Sequence, residues 1–251
     1  MFKNFYLGIK FAFSYFSILP MSFRSNDDLN QKGVLNIMLL FLPVVGLLLG
    51  LATLIIFAFL SHLDWYGALF AAIFYMMMYG FLHTEAVIDV YDALYASHAG
   101  KDAYTIAKEP TVGAIGVLYG VAYMLLKVAG IVVLLTHHFF LEFVSILIIS
   151  RLTLLMLVSI YEFKSSFLGE LKNALNSWHV IFLFILTGVG SFYFLSHFLI
   201  LLIMGLIIGY FVSVFFALKL DFVNGDILGV TLESVEILLF LGVALFMVPV
   251  N

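Results

Sequence analysis

Cysteine is absent from this 251-residue sequence, and charged residues make up only 10% of it. The lack of cysteine excludes disulfides, thiolate nucleophiles and cysteine-ligated zinc sites. The lack of charge excludes an ordinary soluble domain, which carries about 25% charged residues and is roughly half apolar, whereas 65% of this chain is hydrophobic. The net charge of −4 gives no indication of a nucleic-acid partner. We therefore expect a lipid bilayer around a single integral membrane domain over residues 1–251.

Seven apolar stretches approach or exceed the roughly 20 residues that a helix needs to cross the hydrocarbon core. Residues 1–33, which precede them, lack a small-residue cleavage site and predict an interfacial segment rather than a cleaved signal peptide. The sequence thus predicts an all-α, polytopic membrane helix bundle with about seven transmembrane helices. These are Val34–Leu60, Tyr66–Leu82, Val112–Leu135, Phe139–Ile160, Trp178–Leu195, Phe198–Leu218 and Val235–Pro249.

Lysine and arginine occur in alternate connections between these stretches. The connections Ser61–Trp65, Thr136–His138 and Ser196–His197 contain neither residue. The positive-inside rule then predicts that the N-terminus is cytoplasmic and the C-terminus is external. The basic residues of the N-terminal segment and of the other connections are Lys3, Lys10, Arg24, Lys32, Lys101, Lys108, Lys164, Lys172 and Lys219.

A first group of acids follows the second stretch, within residues 83–111, which are predicted to be cytoplasmic. Glu85, Asp89 and Asp92 are spaced i, i+4, i+7, so they share one face of a helix. Three stacked carboxylates repel one another unless cations lie between them, and oxygen ligands suit Mg²⁺. The alternative is a solvated polar face at a helix end. His83 falls on the opposite face from Glu85.

A second group lies within residues 219–236, also predicted to be cytoplasmic. Asn224 and Gly225 mark a turn, and Asp226 follows it directly. Glu233 and Glu236 share a face at the predicted cytoplasmic start of the last helix. The alternative for these two glutamates is the ordinary preference for negative charge near a helix N-terminus.

Basic residues near or within the spans have open roles. Lys108 precedes a helix N-terminus with Gly113 and Gly116, which predicts a phosphate cradle, although close helix packing is the favoured alternative for the two glycines. Lys127 and Arg151 fall inside predicted spans. Such residues are either functional or paired with a buried acid.

Taken together, these motifs resemble the cobalamin synthase family, the adenosylcobinamide-GDP ribazoletransferases, nearly end to end. The order and spacing of the blocks carry the resemblance more than any single block. The blocks are Ile18–Pro20, Leu42–Gly50, Gly80–Asp92, Lys108–Val117, Ser150–Arg151 and Asn224–Glu236.

The resemblance implies a Mg²⁺-dependent enzyme of the cytoplasmic membrane. It would join α-ribazole, or its 5′-phosphate, to adenosylcobinamide-GDP and release GMP. Metal binding is expected at Glu85, Asp89, Asp92 and Asp226. Catalytic roles are expected for Asp92, Asp89 and Lys108, with Asp92, or else His83, accepting the proton from the attacking hydroxyl. Substrate contacts are expected at Arg151, Glu233 and Glu236.

The sequence also departs from the family pattern. Glu85 and Ala86 stand where the family usually has Asp and Gly, and Pro110-Thr111 replaces a segment that usually contains Arg. Two other classes stay open. One is a lipid enzyme like the CDP-alcohol phosphotransferases, and the other is an ion-coupled transporter, which the ionisable Lys127 and Arg151 would suit. The oligomeric state is also open, a homo-oligomer included.

Overall fold

The structure is a computed structural model that describes residues 2–98, 102–107, 111–192 and 195–248. Within these ranges the regular structure is helical, without β-strands, which confirms the predicted all-α class. The α-helices are α1 (Phe2–Phe16), α2 (Lys32–Leu40), α3 (Leu42–Leu60), α4 (Trp65–Met78), α5 (Leu82–His98), α6 (Ala103–Ile106), α7 (Ala114–Thr136), α8 (Phe140–Ile160), α9 (Ser166–Ala174), α10 (Ser177–Phe192), α11 (Phe198–Leu220) and α12 (Gly225–Met247).

Five to seven segments of the described chain are long and apolar enough to cross a membrane. Helix α3 with the turn that follows it, α7, α8, α11 and α12 each suffice alone. The pairs α4 with α5 and α9 with α10 suffice only together, and they bend by 76° and 74° at their breaks. The predicted polytopic bundle is confirmed, while the orientation of its N-terminus stays a prediction.

The first predicted span, Val34–Leu60, is wrong as a single helix because the chain breaks at Phe41. Pro43 lies in the first turn of α3. Proline has no N–H to donate to the carbonyl of Leu39, and its ring clashes with that carbonyl, so the helix cannot pass through unbroken. The membrane-crossing part is α3, whereas α2 packs against α1 and α9.

The second predicted span ends earlier than expected because a glycine terminates α4. Gly80 has a φ of +65° and its N–H donates to Met77, while the N–H of Phe81 donates to Met76. This pair of bonds is a Schellman motif, in which a left-handed residue satisfies the last carbonyls of a helix. The acids that follow therefore lie on α5, which runs in a different direction from α4.

The last helix begins ten residues before its predicted start at Val235. Asn224 caps α12, because its side-chain oxygen accepts a hydrogen bond from the N–H of Ile227 at 3.1 Å. Glu233 and Glu236 consequently lie two to three turns inside the helix. Their predicted position at the helix start is wrong.

Four buried charges meet at the centre of the bundle. The Lys127 ammonium lies 2.8 Å from carboxylate oxygens of both Glu233 and Glu236. The Arg151 guanidinium pairs with the other oxygen of Glu236. All four side chains are at most 4% exposed. We call Lys127, Arg151, Glu233 and Glu236 the ionic core.

Hydroxyl groups complete the hydrogen bonding of the ionic core. Tyr75 donates to Glu236 at 3.0 Å, and Tyr79 donates to Glu233 at 3.0 Å. Ser150 donates to Glu236 at 2.8 Å. The ionic core thereby joins α4, α7, α8 and α12, and its two positive and two negative charges balance.

The N-terminal segment forms a surface layer beside this bundle. Helix α1 packs on α2, and α2 packs on α9. A salt bridge from Lys3 to Asp27, 3.2 Å long, ties α1 to the chain that leads into α2. The backbone N–H of Arg24, followed by the Lys3 ammonium, lowers the pKa of Asp27 below its ordinary value.

The absence of cysteine allows a direct test of topology. Ser61 and Ser166 are both exposed, and the charge pattern predicts that they lie on opposite sides of the membrane. In intact protoplasts, a membrane-impermeant maleimide should label Ser61→Cys, whereas Ser166→Cys should react only after lysis. The reverse pattern would contradict the predicted orientation.

Removal of one charge from the ionic core should destabilise the protein strongly. Lys127→Met leaves two buried carboxylates with one cation between them, and the loss of one partner of a buried pair costs about 3–5 kcal/mol. The free energy of unfolding in detergent micelles measures this loss. The matched control is Lys172→Met, because Lys172 pairs with the exposed Glu162 and its loss should cost less than about 1 kcal/mol. Equal effects of the two substitutions would contradict the assigned role of the ionic core.

Candidate functional site

Helix α5, which carries the first group of acids, is held closely between α7 and α12. On the α7 side, a side chain at Gly116 or Gly120 would collide with Ile88. On the α12 side, a side chain at Gly229 would collide with Ala86. The favoured interpretation of Gly116, close helix packing, is confirmed.

Asp92 links α5 to the start of α7. Its two carboxylate oxygens accept hydrogen bonds from the backbone N–H of Gly113 at 2.5 Å and of Gly116 at 2.7 Å. The first N–H groups of a helix have no partner within it, so the carboxylate acts as a cap supplied from another helix. A side chain at Gly113 would also collide with Asp92. The predicted roles of Asp92 as base and metal ligand stay predictions, and the structure adds this contact.

The other three acids gather where α5 approaches the N-terminus of α12. Asp89 lies within electrostatic range of Asp226, Glu85 and Asp92, and Asp226 is similarly near Glu85. Glu85 is exposed, whereas Asp89 and Asp226 are half-buried. We call Glu85, Asp89 and Asp226 the carboxylate cluster. The separate segments that the sequence predicted to converge therefore do meet.

Asn224 orients Asp226 within the carboxylate cluster. The Asn224 amide donates to a carboxylate oxygen of Asp226 at 2.6 Å, while the same side chain caps α12. Glu85 and Asp89, in contrast, accept no hydrogen bond from the described part of the chain. Asn-Gly predicted only a turn, although an Asn directly before a helix is also a cap signal.

The chemistry of the carboxylate cluster fits a divalent cation. Across the described residues, no three His, Asp or Glu side chains already surround one metal position. Mg²⁺ needs no such cage, because it usually binds through one or two carboxylates together with waters and substrate phosphates. Glu85 and Asp89 have oxygen atoms free for that purpose.

The residues predicted to contact substrate lie outside the carboxylate cluster. Arg151, Glu233 and Glu236 belong to the ionic core, so the alternative of a structural pair with a buried acid is what the structure shows for Arg151, and also for Lys127. Lys108 lies outside the described residues, and its predicted phosphate contact stays a prediction. Asp226 and Glu233 are seven residues apart, which places the ionic core about 10 Å further along α12 than the carboxylate cluster.

Fold and site together define a polytopic membrane protein with an acidic site at one end of its helix bundle. Residues 8–244 match the family described as cobalamin-5-phosphate synthase, and the chain belongs to that family. This finding confirms the resemblance that the sequence blocks indicated.

Relatives named adenosylcobinamide-GDP ribazoletransferase cover nearly the whole chain. One from Clostridium perfringens is 28% identical over 96% of this chain and 99% of its own length. One from Brevibacillus brevis is 26% identical over 92% and 94%, and one from Prosthecochloris aestuarii is 24% identical over 93% and 95%. No solved structure matches significantly.

Proposed function

We propose that this protein is a transferase of the cytoplasmic membrane that joins α-ribazole, or its 5′-phosphate, to adenosylcobinamide-GDP with release of GMP. The observation that carries the proposal is the carboxylate cluster, which two helices of a membrane bundle bring together in a chain of this family. The names of the relatives support the substrates, and the basic connections support the cytoplasmic side, where nucleotides are present.

The reaction replaces the phosphoanhydride bond of the GDP group with a phosphate ester bond to the acceptor. The acceptor hydroxyl oxygen bonds to the phosphorus nearer the corrinoid, and the bond from that phosphorus to the GMP oxygen breaks. The hydroxyl proton passes to a carboxylate. Asp89 is the best placed acceptor, because it is half-buried and accepts no hydrogen bond from the described chain, whereas both oxygens of Asp92 face backbone N–H groups.

Such transfers depend mainly on positioning and charge neutralisation. Glu85, Asp89 and Asp226 are the residues that would hold Mg²⁺, which would neutralise charge on the diphosphate. The Asn224 amide holds the Asp226 carboxylate in place by a hydrogen bond. Asp92 fixes the α5–α7 contact on which the position of Asp89 depends.

The two alternative classes are not favoured. Buried charges such as Lys127 and Arg151 would suit an ion-coupled transporter if they lined a path, but the structure gives both of them acidic partners. A CDP-alcohol phosphotransferase would release CMP from a nucleotide-activated alcohol. Release of GMP from adenosylcobinamide-GDP separates the two enzyme classes.

Replacement of the Asp89 carboxylate should remove activity without unfolding the protein. Asp89→Asn keeps the size of the side chain but loses its charge, so GMP release from adenosylcobinamide-GDP in isolated membranes should fall by about 100-fold or more. The matched control is Asp221→Asn, since Asp221 is exposed and lies only five residues before Asp226. Its activity should stay close to wild type. GMP release by Asp89→Asn at the wild-type rate would remove Asp89 from the mechanism.

A further inference from the structure

A cavity of about 130 Å³ lies directly beside the carboxylate cluster. Helices α1, α5, α8, α9 and α12 contribute to its wall, which is mostly apolar. The rings of Tyr15, Phe16 and Phe167 lie along one side, and Asp226 lines it as well. The cavity and the carboxylate cluster therefore share Asp226.

His83 also lines this cavity. It is 6% exposed, and its ring nitrogens make no hydrogen bond with the described part of the chain. Its ring is stacked between Phe16, with centroids 6.3 Å apart, and Tyr79, at 5.6 Å. The ring nitrogens can therefore hydrogen-bond to a ligand that enters the cavity, because a neutral imidazole offers one donor and one acceptor.

We propose that this cavity binds the aromatic base of the nucleoside acceptor, with His83 as its hydrogen-bonding partner. The inference rests on the proposed function. A cavity of about 150 Å³ lined by apolar side chains is known to accept benzene, so a volume of about 130 Å³ suits one aromatic ring of the base. Aromatic walls favour stacking with a flat heterocycle over a flexible lipid chain. A base held here would leave the attached ribose at the Asp226 end, next to Asp89.

Steady-state kinetics with two cavity variants test the proposal. His83→Leu should raise the KM for the α-ribazole acceptor by about tenfold, the effect of one lost hydrogen bond. The KM for adenosylcobinamide-GDP should not change, and His83→Gln should restore much of the acceptor affinity. Leu168→Trp fills the cavity and should raise the acceptor KM further.

The matched control is Leu201→Trp, because Leu201 is a buried leucine that lines a cavity at the far end of the bundle. Its acceptor KM should equal that of wild type. An unchanged acceptor KM in both His83→Leu and Leu168→Trp would overturn the proposal even if GMP release were normal.

Direct binding separates this proposal from the proposed function. Calorimetry with α-ribazole and the purified protein in lipid nanodiscs needs no turnover. We expect binding to wild type and to Leu201→Trp, and none to Leu168→Trp. If GMP release failed while this binding pattern held, the cavity assignment would stand and the proposed reaction would fall. Equal binding to wild type and Leu168→Trp, or no binding to wild type, would overturn the cavity assignment.

Discussion

The burial of four charges in a lipid-embedded bundle is the constraint on which the rest of this structure depends. An unpaired charge at membrane depth costs several kcal/mol, so Lys127, Arg151, Glu233 and Glu236 must stay together. Tyr75 and the other hydroxyl donors add bonds that hold only in one arrangement of the helices. A balanced ionic core therefore specifies how α4, α7, α8 and α12 are rotated relative to one another.

That arrangement determines where the acids of the site can lie. With α7 and α12 fixed, α5 fits between them through small residues, Gly120 on one side and Gly229 on the other. Asp92 then caps α7, and Asp89 faces the start of α12. The ionic core thus fixes the helices that carry and surround the carboxylate cluster.

Hydropathy alone predicted the helices that are continuous and predominantly apolar. The bounds of α7, α8 and α11 agree closely with the predicted spans. The breaks at Phe41 and Gly80 were missed, although Pro43 and Gly80 are local signals for them. The start of α12 was missed for another reason. Two glutamates close together, Glu233 and Glu236, are typical of a membrane boundary. Their basic partners Lys127 and Arg151 are distant in the chain, so the sequence did not indicate that the glutamates are buried and paired.

The sequence predicted only part of the candidate site, because contacts between helices that are distant in the chain cannot be read from spacing. Helical spacing correctly brought Glu85, Asp89 and Asp92 to one region, and the separate segment with Asp226 joins them. Spacing could not indicate that Asp92 would meet Gly113 and Gly116, because that contact depends on how α5 and α7 pack. It also could not place His83 in a cavity, since α1 and α9 form much of the wall.

We propose that acids from α5 and α12 form one site for a divalent cation. Mn²⁺ can report on it by electron paramagnetic resonance, with the purified protein in nanodiscs and no substrate present. Wild type and Asp221→Asn should bind Mn²⁺ equally, and the double variant Asp89→Asn/Asp226→Asn should lose that binding. Equal Mn²⁺ binding by the double variant and wild type would contradict a shared cation site on α5 and α12.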